Sequence, residues 1–305
     1  MNESPPAALA AAMRDVAAAV EAELDRLLPA PHGPTTRLDQ AMRYATLGGG
    51  KRLRALLAVA GGDLFGAPRQ GSLRVAAAIE MLHAYSLIHD DLPCMDDDDL
   101  RRGKPTVHKA FDEAAAVLAG DGLQALAFEM LADPATHAEA AVRAELTLGL
   151  ARAAGPRGMV GGQAIDLAAE TRTAAGRPLD YAEIAHLQAL KTGALIAFAA
   201  ESGAILGRAS LEDRAVLRDY AVDLGLAFQI ADDILDHEGS AAELGKAVGK
   251  DAGAGKATFV GLLGLEGAKA KARALTSSAQ GRLGRFGPAA KVLQELAEFV
   301  ITRRS

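Results

Sequence analysis

The sequence predicts an all-α protein. Alanine and leucine dominate, half of the 305 residues are hydrophobic, Trp is absent and aromatics make up only 4%. That composition favours helices over strands. No alternating strand pattern of useful length, no long linker and no fixed-period repeat interrupts it. Apolar runs at helical spacing are instead separated by breaks rich in Gly and Pro. Residues 1–305 therefore read as a single domain.

Taken in order, Ser4-Pro5-Pro6 caps a helix over residues 7–28, which the turn-rich segment 29–34 breaks. A short helix over 38–47 is stopped by Gly48-Gly49-Gly50, and another over 53–64 by Gly66-Ala67-Pro68. Ser72 reads as the cap of a long apolar helix through Val75, Ile79, Leu82 and Leu87 to Asp91, and 92–106 as a charged loop. Helices are predicted over 107–120, 123–132, 134–154 and 159–169, the last carrying Gln163 and Asp166. Asp180-Tyr181-Ala182-Glu183 fits a capping box that opens a helix to Gly207, with a kink at Thr192-Gly193. Ser210-Leu211-Glu212-Asp213 opens the next helix, 239–255 is a glycine-bearing connection, and helices over 258–280 and 288–303 finish the chain.

Chemistry concentrates in two places. Six aspartates, Asp90, Asp91, Asp96, Asp97, Asp98 and Asp99, fall within ten positions, and Arg101, Arg102 and Lys104 follow at once. Alone, such a run is equally consistent with a solvated charged loop. Asp90 and Asp91, however, adjoin the apolar segment 85–88, and carboxylates at the end of a buried helix call for divalent cations. Mg²⁺ takes carboxylate and phosphate oxygens together, and guanidinium forks anchor phosphates. The second cluster is Phe228-Gln229-Ile230-Ala231-Asp232-Asp233-Ile234-Leu235-Asp236. On a helix Asp232 and Asp236 share one face, with Gln229 nearly on it. The two clusters read as two walls of one metal-filled cavity.

The net charge of −6 argues against a nucleic-acid partner. The single cysteine, Cys94, allows no intramolecular disulfide and reads as a bystander. The N-terminus has no basic region followed by an apolar one, and no run approaches the ~18 uninterrupted apolar residues of a membrane span. Residues 195–200 come closest, bracketed by Lys191 and Glu201. A soluble, cytoplasmic protein is expected.

Several short motifs in a fixed order now carry a resemblance. They are Gly49-Gly50-Lys51-Arg52-Leu53-Arg54, then Asp90-Asp91 with Asp96, then Arg101-Arg102-Gly103-Lys104-Pro105-Thr106. Gly158-Met159-Val160-Gly161-Gly162-Gln163 and Lys191-Thr192-Gly193 follow, then the 228–236 cluster, with Gly245-Lys246 and Gly255-Lys256 behind it. The chain resembles the short-chain trans-prenyl diphosphate synthases, most closely the bacterial farnesyl diphosphate synthases, over nearly its whole length. The resemblance implies an isoprenoid-synthase-type bundle of roughly ten core helices around a deep central cavity. It implies head-to-tail (1′-4) condensation of isopentenyl diphosphate onto an allylic diphosphate, and, by analogy, a homodimer.

The same resemblance implies roles. Asp90, Asp96 and Asp232 would hold about three Mg²⁺ ions against the allylic diphosphate, with Asp91, Asp233 and Asp236 assisting directly or from behind. Arg101, Lys191 and Lys246 would contact that diphosphate, and Lys256 through water. Lys51, Arg54, His83 and Arg102 would bind isopentenyl diphosphate, with Gly50 allowing close backbone approach. The Thr192 hydroxyl, the Lys191 carbonyl and Gln229 would face the prenyl cation. Tyr85 lies five positions before Asp90, about 7.5 Å deeper along a helix, with Ser86 beside it. An aromatic there resembles the floor of farnesyl synthases and implies a C15 product, C10 and C20 being the alternatives. Two departures stand out, since Ala55 replaces a usual proline and Gly122 a usual alanine.

Competing readings remain. Glu80-x-x-His83 and Glu183-x-x-His186 match the pairs of di-iron bundles. A terpene cyclase would lack the isopentenyl diphosphate pocket that Lys51, Arg54 and Arg102 supply. A non-catalytic synthase subunit would typically lose an Asp motif, and this chain keeps both.

Overall fold

In a computed structural model of the protein the described residues are 5–243 and 258–303. They form α1 Ala7–Leu27, α2 Thr36–Thr46, α3 Leu53–Leu64, α4 Arg69–Asp90, α5 Val107–Ala110, α6 Glu113–Ala132, α7 Ala140–Ala154, α8 Met159–Ala174, α9 Tyr181–Gln188, α10 Ala194–Leu206, α11 Leu211–Glu243, α12 Phe259–Arg282 and α13 Lys291–Thr302. The expected all-α fold is what forms.

The chain divides into two compact units. One comprises Ala11–Leu150 with Ser202–Ala209 and is built around α4. From Arg74 to Leu82 every residue of α4 is buried, as in a helix enclosed on all sides. It packs on α3 and α6, and α2 also lies on α6. Close approach is bought with glycine. A Cβ on Gly203 would fall 2.2 Å from the Gly62 nitrogen and 2.5 Å from the Ala58 carbonyl oxygen. The other unit comprises Met1–Ala10, Ala151–Glu201 and Ser210–Ser305. Its long α11 packs on α12 and α13, over a core that includes Leu179, Ile184, Leu187, Ile230, Phe259 and Val260.

Most starts follow the expected local chemistry. The Asp180 capping box is complete, with Glu183 N–H on Asp180 at 2.9 Å and Asp180 N–H on Glu183 at 3.0 Å. The Ser210 hydroxyl accepts from Asp213 N–H at 3.1 Å at the head of α11. The kink expected at Thr192-Gly193 is a π-helical turn over Ala189–Gly193 that joins α9 to α10.

Five expectations are corrected. Ser72 is no cap: α4 starts after Pro68, and the Ser72 hydroxyl is buried against Gly62, where a Cβ would lie 2.3 Å away. The loop over 92–106 contains a small antiparallel hairpin, Leu100↔Pro105 and Arg101↔Lys104. The helix predicted over 107–120 breaks, because Asp112 caps a new start by accepting from Ala115 N–H at 2.7 Å, and α6 then runs through Gly120 and Gly122. Gly239 does not stop α11, which reaches Glu243. Finally, the helix predicted over 134–154 starts only at Ala140. Glu113–Ala132 and Tyr181–Leu206 are long and apolar enough by mean hydropathy to cross a membrane, and 44% and 61% of their apolar windows are buried within the fold. The cap predicted at Ser4 lies outside the described residues.

Because the α10–α3 contact is backbone on backbone, Gly203→Ala should lower the unfolding free energy by about 1–3 kcal/mol, the cost of overpacking. The urea midpoint reads this directly. A midpoint equal to the parent's would mean the helices separate freely here.

Candidate active site

The Ala11–Leu150 unit gathers several guanidiniums around one histidine. Arg52 takes a left-handed backbone, φ 49°, ahead of α3. Its buried guanidinium donates to Glu80 at 3.0 Å, Glu21 at 2.7 Å and the Thr46 carbonyl at 2.6 Å. Glu80 also accepts from Ala55 N–H at 3.2 Å. That explains the departure at Ala55, since a proline there would have no hydrogen to give. Arg54 is different: its Nε is buried without a hydrogen-bond partner. Burial lowers the Arg54 pKa, Glu80 raises it and Arg102 lowers it. Burial, then Arg54, Arg102, Arg101 and Arg52, hold His83 well below its ordinary value, so its imidazole is neutral.

The glycine run closes on this pocket. Gly48, Gly49 and Gly50 have φ of 83°, 157° and 100°. Glu21 accepts from Gly48 N–H at 2.5 Å. A Cβ on Gly50 would sit 2.7 Å from Arg102 Nη1, so the absent side chain makes room for the guanidinium. Arg102 and Gly103 form the hairpin tip with φ of 53° and 76°. Positive φ at both central residues is the tight turn that suits a two-residue hairpin. Lys51 is exposed beside this run.

The first Asp motif is shaped by its own loop. Asp96 N–H donates to the Asp90 carbonyl at 2.9 Å, which folds the chain back so that the two residues adjoin. Asp91 points elsewhere. Its carboxylate is buried and accepts from Arg101 Nε at 2.8 and 3.0 Å and from Nη2 at 2.5 Å. Asp91 thus fixes the guanidinium of Arg101. Tyr85 is half-buried on α4, and the Ser86 hydroxyl donates to its own helix at the His83 carbonyl, 2.8 Å away.

The second unit carries the remaining residues. A Cβ on Gly162 would meet the Lys191 nitrogen at 2.2 Å, so α8 lies directly on the π-helical turn. Lys191 Nζ donates to Asp166 at 2.6 Å. Thr192 donates to Gln229 Oε1 at 3.4 Å, which brings together two predicted residues from separate helices. On α11, Asp232 pairs with Arg303 Nη2 at 2.5 Å, and that guanidinium also lies over the Phe228 ring at 4.0 Å and donates to the Val300 carbonyl. Asp233 accepts from Phe259 N–H at 2.7 Å at the head of α12. Burial pushes its pKa up to about 6, opposed by that hydrogen bond and assisted by Asp236 and Asp232. Asp236 is exposed. Lys246 and Lys256 lie outside the described residues.

Sequence reasoning assigned no role at the site to Glu80, Glu21 or Asp166, and for Arg303-Arg304 it left closing the site and a solvated end as alternatives. Each is a long-range partner of a residue it did name, and no local pattern announces such a partner. The di-iron reading fails on the same contacts, because Glu80 is engaged by Arg52 and Ala55, and Glu183 by the capping box and Arg172.

The donor set fits a hard cation. Among the described residues no three acidic, His or Cys side chains close a metal cage by themselves. Carboxylates in ones and twos beside guanidiniums are a set that suits a divalent cation such as Mg²⁺, which completes its shell with phosphate and water.

A family model described as polyprenyl synthetase matches residues 35–293. The chain belongs to that family. Membership makes it a trans-prenyltransferase and implies prenyl diphosphate substrates and a divalent metal. It is 48% identical to the farnesyl diphosphate synthase of Escherichia coli (strain K12), over 88% of this chain and 90% of that one. It is 45% identical to geranylgeranyl pyrophosphate synthase 9, chloroplastic, of Arabidopsis thaliana, over 95% and 80%. An FPP/GFPP synthase from Zymomonas mobilis superposes with a TM-score of 0.88 at 53% identity, over 96% and 98% of the two chains.

His83 gives this family member a pH signature. The unfolded imidazole takes up a proton as pH falls through its ordinary 6.5, while the folded one stays neutral. Below that pH the unfolded state binds more protons, so stability falls. The urea midpoint of the ligand-free protein should therefore drop more steeply between about pH 7 and 5.5 than that of His83→Gln. Equal slopes would mean that His83 is not held neutral.

Proposed function

We propose that the chain is an Mg²⁺-dependent prenyltransferase that condenses isopentenyl diphosphate head-to-tail (1′-4) with dimethylallyl and then geranyl diphosphate. Pyrophosphate leaves and farnesyl diphosphate is the product. One observation carries this reading. Arg54, with its Nε unsatisfied, and Arg102 surround a neutral His83 with no carboxylate to spare. Such a pocket is completed by a polyanion that arrives with its own charge. We assign it, with Lys51 and Gly50, to isopentenyl diphosphate.

The allylic diphosphate belongs to the other set. Asp90, Asp96 and Asp232 would hold about three Mg²⁺ ions, which when bound neutralise the charge that collects on the leaving pyrophosphate. Asp91 acts through Arg101, holding its fork ready for phosphate oxygens. Asp166 does the same for Lys191. Asp233 ties α11 to the head of α12, and Asp236, one turn beyond Asp232, is the outer carboxylate of that set. Lys246 and Lys256 complete the lysines we assign to the allylic diphosphate. The Thr192 hydroxyl, the Gln229 amide oxygen and the Lys191 carbonyl supply fixed partial negative charge for the prenyl cation. No side-chain base is needed, because the departing pyrophosphate accepts the final proton. Tyr85, flanked by Ser86, is the floor that stops the chain at C15. The relatives' names span more than one product, so product length rests on this residue.

We further propose that residues 1–305 work as one synthase domain and that the enzyme is a cytoplasmic homodimer. The exposed Val117 and Leu118 of α6 support an assembled state.

Purified protein given Mg²⁺, labelled isopentenyl diphosphate and either dimethylallyl or geranyl diphosphate should yield farnesol after dephosphorylation. Farnesyl diphosphate should stay unextended, and EDTA should stop the reaction. Geranylgeraniol would keep the reaction and discard Tyr85 as floor, while folded protein that condenses nothing would overturn the function. Arg54→Gln should lower kcat/KM about 10- to 100-fold, the loss of charged hydrogen bonds, through KM for isopentenyl diphosphate. KM for geranyl diphosphate should hardly move. The opposite pattern would exchange the two assigned pockets.

A further inference from the structure

We propose that His89 and Gln124 are positioning residues for product length, clamping the Tyr85 ring so that it stops the growing chain. The proposal rests on the reading of Tyr85 as floor and deepens it.

Tyr85 and His89 stand four residues apart on α4 and so share a face. Their rings meet edge to face, with centroids 5.1 Å apart and planes at 81°. His89 is itself held. Its Nε2 lies 3.1 Å from the Val117 carbonyl oxygen of α6. A carbonyl only accepts, so Nε2 carries the proton. The notch that admits the imidazole exists because residue 120 is glycine: a Cβ there would fall 2.1 Å from Nε2. Gln124 follows Gly120 by one turn of α6, and its side chain comes within reach of the tyrosine hydroxyl. Val117, Gly120 and Gln124 are spaced three and four apart, which places them on one stripe of α6. One stripe of α6 therefore grips two successive turns of α4.

A floor must resist pressure. A prenyl tail gains by burying each further methylene, so an aromatic free to change rotamer would give way. A ring braced on one edge by His89, with Gln124 near its hydroxyl, turns to another rotamer only at a cost. Tyr85 alone marks where the chain stops, and His89 with Gln124 determine whether it stops there.

The test compares Tyr85→Ala, Gln124→Leu and His89→Ala in the full-length enzyme, each shown folded by circular dichroism. Each is given Mg²⁺, labelled isopentenyl diphosphate and either geranyl or farnesyl diphosphate. Tyr85→Ala should pass C15. Gln124→Leu and His89→Ala should each raise the share of products longer than C15 about tenfold or more, the effect of opening a hydrophobic pocket. KM for geranyl diphosphate should stay within about threefold of the parent, since the diphosphate sites are untouched. Adding Gln124→Leu to Tyr85→Ala should lengthen products no further. If His89→Ala disturbs its neighbour Asp90 and loses turnover, Gln124→Leu, remote from the Asp motif, decides alone. Lengthening by Tyr85→Ala with C15 as sole product of Gln124→Leu would overturn the clamp and leave the floor standing. C15 as sole product of Tyr85→Ala would overturn the floor, and the clamp with it.

Discussion

Glu80 is the constraint on which the positive pocket depends. It is a buried carboxylate near several guanidiniums, and it is committed to one of them. By holding Arg52 and the Ala55 N–H, it fixes the start of α3 and the exit of the glycine run. The Arg52 guanidinium is thereby tied into the fold, and Arg54 and Arg102 are left crowded against His83. Charged groups packed this way are costly in a folded protein unless a counter-charge arrives. The fold keeps that cost in place. A diphosphate that binds here relieves a repulsion already present, so part of its affinity comes from the protein's own arrangement.

The sequence announced much of this, and the reasons are local. Helix periods, the Asp180 capping box, the Ser210 start and the positions of both Asp clusters depend on residues within a few places of one another. The glycine run and its neighbouring basic motif were read as an anion pocket through the family resemblance, and the positive φ of the glycines belongs to the fold. Ser72 misled because its chemistry suits a cap, while the glycine it packs on, Gly62, lies on another helix. The break before α6 was missed because Asp112 had to be seen accepting from Ala115 to count as a start. Ala55 and Gly122 read as departures from a pattern. In the fold Ala55 supplies a needed N–H, and a Cβ at Gly122 would crowd Met42 Sδ at 3.1 Å.

What the sequence could not show was pairing across distance. Asp166 with Lys191, Arg303 with Asp232, and His89 with Val117 are each separated by more than two dozen residues, and no spacing rule links them. Arg303 has the largest consequence. It places a buried guanidinium, stacked on Phe228, against the aspartate assigned to metal. In the ligand-free chain this arginine balances Asp232. A cation arriving at Asp232 would displace a charge already present, and Arg303 orients the carboxylate beforehand.

The two Asp motifs divide their labour in the same way. Neighbouring residues on a helix point about 100° apart, so Asp-Asp cannot aim both carboxylates at one ligand. In each motif the second aspartate is committed to the fold: Asp91 to Arg101, and Asp233 to the Phe259 N–H. The first, Asp90 or Asp232, is the one proposed above as a metal ligand. On that proposal each doubled aspartate would combine a ligand with the brace that holds the neighbouring structure in register. The brace at Asp91 orients Arg101, and the brace at Asp233 ties α11 to the helix packed against it. Losing the second member of either pair would therefore act on geometry, while losing the first would act on charge.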